Sequence, residues 1–160
     1  MKNIYIISSY QPKVDRLEEM FKQKVNLEHG IIFTKVPRGL IMSFDERIFF
    51  EVGQDELKEN SYLILNLIAE QLKKISNDCV IEDHTEDKIP ENSDYQYDWE
   101  LSITRAGNIA QYLIDCGKLN SRRIFALGFG EIMPFKENVA RTSKMDSRID
   151  IVILEYETER

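Results

Sequence analysis

The residues with the greatest chemical potential in this sequence cluster between positions 82 and 105. His84 is followed by Glu86 and Asp87, donor types that suit a divalent metal or a proton transfer. Three near-adjacent residues rarely converge on one ion without outside help, and the other histidine, His29, is remote in sequence. No metal site is therefore expected. Arg105 carries a planar fork that suits a carboxylate bidentately, which a lysine would not reproduce. On position alone it reads as an exposed helix arginine pairing with a loop acid, an interaction of little net energy. Glu82, Asp83, Glu86, Asp87, Glu91, Asp94, Asp98 and Glu100 face Lys88 alone across the same stretch. Cys79 and Cys116 match no zinc spacing and read as two buried thiols. No Ser-His-Asp order, nucleophile elbow or phosphate loop is present, so neither enzyme activity nor a cofactor is expected.

These groups must be carried by regular elements. Asp15 to Val25 predicts a short helix, with Leu17, Met20, Phe21 and Val25 at helical spacing, and Asn3 to Ser8 reads as a strand or a remnant of one. Ile31 to Val36 is β-rich, and Pro37-Arg38-Gly39 breaks the chain. Leu40 to Phe44 predicts a strand. A helix capped by Asn60 or Ser61 buries Leu65, Ile68, Leu72 and Ile75. Cys79 to Ile81 predicts a strand leading to His84, and a long polar loop follows to Glu100. A second helix from about Trp99 to Cys116 buries Ser102, Ala106, Ile109, Leu113 and Cys116, and Gly117 ends it. Arg123 to Gly128 and Arg148 to Leu154 close as strands, separated by a loop from Gly130 to Lys144. The alternation predicts an α/β sandwich in the α+β sense, two main helices packed on one face of a mixed sheet. The expected boundaries are an N-terminal helical extension over 1–37 and one domain over 38–156.

The chain has 160 residues, of which 42% are hydrophobic and 31% charged, enough for one core without staples. A formal net charge of −7 argues against nucleic acid and anionic lipid as partners. No stretch reaches the roughly 20 apolar residues of a membrane span, and the first residues carry too short an apolar run for a signal peptide.

Five blocks in order carry a family resemblance. Residues 39–44 and 49–57 resemble an opening "GLVISI…LFDSGSAEL", and Ile81 to Asp87 resembles "IEGHTDN". Asp98 to Ala106 resembles "NWELSxxRA". Gly128-Phe129-Gly130 with Pro134 and Asn138 resembles "GYGE…P…N", and Asp146 to Val152 resembles "NRRVEIV". Together they resemble the OmpA/MotB-type peptidoglycan-binding domain, and the Pro90 loop with Trp-Glu-Leu-Ser leans toward the MotB form.

The resemblance implies a βαβαββ domain that holds the diaminopimelate group of a peptidoglycan stem, a zwitterion needing one cation and one anion at fixed separation. It places the arginine at Arg105 and the aspartate at Glu86, whose extra methylene leaves Asp87 as an alternative. Thr85, Asp98, Leu101 and Arg148 complete the expected binding set. Asp83 stands where the family has glycine, Asp98 and Asp146 where it has asparagine, and Ser147 where it has arginine. The added acidity predicts weak binding, or preference for amidated stems. The implied role is a non-catalytic anchor of a membrane or envelope assembly, periplasmic and homodimeric, with a channel or envelope protein as partner. The first 37 residues then resemble the linker and helix before such a domain, with the membrane helix absent from this chain. The alternative is a degenerate domain that has lost wall binding and serves as a protein-interaction module.

Overall fold

The computed structural model describes residues 4–25, 30–87, 89, 91, 93–130 and 147–155, with the side chains of the first helix described from Val14. Lys88, Pro90, Pro134, Asn138 and Asp146 lie outside the described residues, as does most of the predicted 130–144 loop.

Helix α1 spans Ile4–Lys24. From Ile4 it runs as helix through the part of the expected Asn3 to Ser8 strand that the structure describes. That run is too short for its period to separate strand from helix. Val14, Leu17, Phe21 and Val25 fall on one face and are buried in the single apolar core.

Strand β1 (Ile32–Val36) pairs antiparallel with β2 (Gly39–Asp45), Ile32 opposite Ser43 and Val36 opposite Gly39. The boundary expected between residues 37 and 38 therefore falls at the turn of a hairpin. Lys35 on β1 holds Asp15 at 2.5 Å and Glu18 at 2.8 Å, tying the strand to α1. A Cβ on Gly39, whose φ is +144°, would stand 1.9 Å from the Ile153 carbonyl oxygen. Only glycine lets the strand start there.

Helix α2 (Ser61–Leu72) buries Ile64, Leu65, Ile68 and Leu72. Asn60 occupies its N-cap without a side-chain bond, while the Ser61 hydroxyl donates to the Lys58 carbonyl at 2.6 Å. Strand β3 is Cys79–His84, and α3 is Asp98–Asp115. Glu100 reaches back to accept from the Tyr97 amide at 2.9 Å, satisfying a donor at the α3 start. Strands β4 (Ile124–Gly128) and β5 (Arg148–Leu154) complete the sheet.

The sheet order is β1-β2-β5-β3-β4, with β3 and β4 parallel and the other pairs antiparallel. The α+β sandwich read from the sequence is the architecture observed, with β1 as an added edge strand and α1 as a third helix on the core. Side chains alternate along each strand. Ile81 and Asp83 of β3 and Ile149 and Ile151 of β5 turn toward the helices. Glu82 and His84, opposite Asp150 and Arg148, turn to the other face. Helix α3 lies directly on β3 and β4. A Cβ on Gly128 would meet the Ile103 amide nitrogen at 2.2 Å, so strand and helix touch backbone to backbone there.

Cys79 is buried, and burial pushes its thiol up to about 12. Cys116 is exposed, contrary to the expectation of two buried thiols. It is the C-cap of α3, past the last residue of the buried stripe.

Candidate functional site: an arginine caged by carboxyls

The fold brings residues from four segments around the Arg105 guanidinium. Strand β2 ends at Asp45, whose carboxylate accepts from the Arg47 amide and starts a 3-10 turn. That turn places Glu46 inward, 4% exposed. Strand β3 ends at His84, and Thr85 and Asp87 follow at the mouth of the loop. Helix α3 contributes Arg105 from its buried stripe, 0% exposed.

Each donor of the fork is engaged. Nε donates to the Gln54 carbonyl at 2.6 Å. One terminal nitrogen, Nη1, donates to Glu46 Oε2 at 3.2 Å and Thr85 Oγ1 at 3.3 Å. The other, Nη2, donates to the Glu51 carbonyl at 3.0 Å and Asp87 Oδ2 at 2.9 Å. The Phe50 ring lies 5.1 Å from the guanidinium carbon, a favourable cation–π distance. Asp87 Oδ2 also accepts from the Gly53 amide at 2.8 Å, and Thr85 Oγ1 accepts from the Asp87 amide at 3.0 Å.

A third carboxyl belongs to this cage. Asp83 points to the helix side of β3, 0% exposed, with both carboxyl oxygens lacking a hydrogen-bond partner. Burial pushes its pKa well above the usual range, Glu46 adds to the rise, and Arg105 opposes it. Burial likewise pushes Glu46 up to about 7, against the pull of Arg105.

The expected binding residues separate. Arg105, Asp87 and Thr85 meet directly. Glu86 is exposed and makes no recorded contact with Arg105; its amide is held by Ser147 Oγ at 2.9 Å. Asp98 sits at the start of α3, accepting from the Trp99 amide, and Leu101 is fully buried. Arg148 lies on the opposite face of the sheet, 6% exposed, with Nε on Asp150 Oδ2 at 3.0 Å. Trp99 is 47% exposed and stacks on Tyr97. Glu46 carried no signal in the sequence, because nothing in a lone acid after a strand says that the next turn folds inward.

The second face holds a separate network. Arg38 grips Glu82 with two bonds, 2.5 and 2.9 Å. His84 Nε2 stands 3.4 Å from Asp150 Oδ2 and 3.7 Å from Glu82 Oε2, and its ring stacks on Phe129. Burial would raise the Glu82 carboxyl, but His84 and Arg38 outweigh it and hold it down at about 2. Burial would lower the His84 pKa, but Asp150 and Glu82 outweigh it and raise it. Glu82, His84 and Asp150 have donor atoms close enough for one metal ion. Yet Arg38 occupies both Glu82 oxygens and Arg148 one of Asp150's, so a dication would enter beside two guanidinia. The donor set fits a salt-bridge network better than a metal centre. His84 is thus not gathered with Glu86 and Asp87.

Helices layered on one face of a mixed sheet, with a caged arginine at the sheet's end, define an OmpA-like α+β domain. Residues 49–148 match the OmpA family, and the chain belongs to it. The uncharacterised protein YtxE of Bacillus subtilis is 33% identical over 122 residues, covering 76% of this chain and 50% of that protein. Motility protein B of Bacillus subtilis is 28% identical over 141 residues, 87% of this chain and 54% of that protein. The chain spans about half the length of these curated relatives. The cell wall anchor of the type VI secretion system from Pseudomonas aeruginosa superposes with a TM-score of 0.72 at 17% identity, covering 88% of this chain and 98% of that one.

Proposed function

We propose that this chain is a non-catalytic anchor that binds the peptide stems of peptidoglycan at the Arg105–Asp87 centre. The observation that carries the reading is one fixed guanidinium with a carboxylate 2.9 Å away, at the mouth of a loop. A stem terminus with one carboxylate and one ammonium matches that pair. The Asp87 side chain is 13% exposed against 5% for Glu46, so it is the more accessible of the two carboxyls bonded to the fork. A ligand carboxylate would replace Asp87 on Nη2 as a charge-assisted acceptor. Glu86 and the displaced Asp87 would then take the ammonium. Family membership and the likeness to a cell wall anchor support the same reading. The domain would act on the envelope side of the membrane, as a homodimer beside a channel or envelope partner.

The test is cosedimentation with purified peptidoglycan. Wild type should pellet, and Asp87→Ala and Thr85→Val should change the bound fraction while keeping the wild-type melting temperature within a few degrees. Arg105→Ala should abolish binding, but it removes the cation from a buried cluster and costs about 3–5 kcal/mol, so the milder variants decide. Amidated stems should bind better than free diaminopimelate stems, because the cage already holds three carboxyls.

One observation favours a second reading. Arg105 is 0% exposed and all its donors are met within the protein, as in a structural arginine. A wild-type protein that stays in the supernatant with every stem chemistry identifies a domain that kept the fold as an interaction module.

A further inference from the structure

Glu46, Asp83 and Asp87 surround one guanidinium. Fully ionised, this group would carry two uncompensated negative charges where water is largely excluded. An unpaired buried charge costs several kcal/mol, and neutralisation by a proton is the ordinary escape. The groups facing the cluster offer no second cation among the described residues. On β3, His84 turns to the other face, toward Asp150 and Glu82. On β5, Arg148 and Asp150 face away as well. In the segment after the 3-10 turn, Lys58 is held by Glu51 and the Arg47 carbonyl, and Asp55 accepts from the Tyr95 hydroxyl. On α3, Ser102 gives its hydroxyl to the Asp83 main-chain carbonyl. Among the described residues, protons are the remaining source of positive charge.

We propose that Glu46 and Asp83 store protons beside Arg105, and that protonation of Glu46 releases the Nη1 side of the guanidinium from the core. Asp83 has no hydrogen-bond partner for either oxygen, and burial pushes it well above the usual carboxylate range, which favours its protonated form. Glu46 shares the fork with Asp87 and Thr85 and exchanges its proton with solvent. Gaining that proton leaves Asp87 as the other carboxyl partner of Arg105. The burial that raises Glu46 to about 7 puts this exchange near neutrality. Taken with the anchor reading, on which this last step rests, release of Nη1 from Glu46 lets the carboxylate that replaces Asp87 on Nη2 take a second bond of the fork. If only the protonated form binds, affinity should fall roughly tenfold between pH 6 and pH 8.

Carbon-detected NMR of the full chain, with labelled Asp, Glu and Arg side chains, decides the proposal without any ligand. The Glu46 carboxyl should titrate near neutrality, the Asp83 carboxyl should titrate well above the ordinary carboxylate range, and the Arg105 side-chain signals should follow the Glu46 midpoint. In Glu46→Gln the Arg105 signals should keep their low-pH positions at every pH. Asp87→Asn, which removes the neighbouring carboxylate, should lower the Glu46 midpoint. Glu46 titrating in the ordinary carboxylate range, or Arg105 signals unchanged from pH 5 to 8.5, would overturn the proposal. Peptidoglycan cosedimentation at pH 6 and 8 tests the anchor reading separately. Binding that is strong but flat with pH overturns the latch and keeps the anchor, whereas no binding together with the expected titration rejects the anchor alone.

Discussion

At the scale of single residues, the cage around Arg105 sets a pH dependence of stability. Glu46 has a folded pKa of about 7 against an ordinary value of 4.5, so the folded state binds more protons across that interval. Its contribution is complete below 4.5 and is lost as pH rises through about 7. Asp83, also raised, has the same sign. Glu82, held at about 2, has the opposite sign, and its contribution fades only as pH falls from the usual carboxylate range toward 2. Urea unfolding at pH 5 and pH 8 should therefore find the protein less stable at pH 8. The drop should reach at most about 3 kcal/mol from Glu46, and Glu46→Gln should remove that part. An unchanged difference in the variant would mean that Glu46 does not carry it. The arginine itself was legible in the sequence. Its burial was not: by position it read as an exposed helix arginine, and the fold leaves it 0% exposed. What spacing did not convey is that Glu46, Asp83 and Asp87 converge on it from segments far apart in the chain. Glu86, the match by motif position, lost to its neighbour because the turn at Thr85 directs Asp87 inward.

At the scale of elements, the contact of α3 with β4 is the tightest joint near the site. Gly128→Ala would place a methyl 2.2 Å from the Ile103 amide, where only backbone can yield. The helix must lift, at a cost of about 1–3 kcal/mol, and Arg105 would move with it. A lowered urea midpoint together with shifted Arg105 signals is the expected result, and a variant indistinguishable from wild type would show that the joint gives freely. Periodicity revealed most elements here: β5 matches its predicted span, and α3 and β4 start within a residue of theirs. The hairpin of β1 and β2 escaped because Pro37-Arg38-Gly39 reads equally as a domain break and as a turn. Helix α1 was found by its apolar stripe, but it begins by Ile4, well before the start read at Asp15.

At the scale of the molecule, the sheet separates two kinds of polar interior. One face places the arginine cage beside the apolar core, and the other carries the Arg38–Glu82–His84–Asp150–Arg148 network. A charge of −7 lies over both. The sequence revealed the surplus of acid but not its division, because alternate residues of β3 feed opposite faces. The expected dimer belongs to this scale too. Sedimentation equilibrium across a range of concentrations should give twice the mass of one chain, and a constant single-chain mass would remove the homodimer from the proposed role.

The order of the strands bears on how the molecule would carry tension. Strand β1 begins at Ile32, opposite Ser43, so its entry lies at the end of the sheet where Glu46 and Thr85 gather. A pull delivered through the N-terminal segment against a tether at Arg105 would open the hairpin rung by rung, the weakest direction for a ladder. Phe21 and its companions on α1, wedged into the core, and the grip of Lys35 on Asp15 and Glu18 stand in series before the first rung. Stretched between those two points in an optical trap, Phe21→Ala should yield at a clearly lower force than wild type, although neither rung nor tether has been altered.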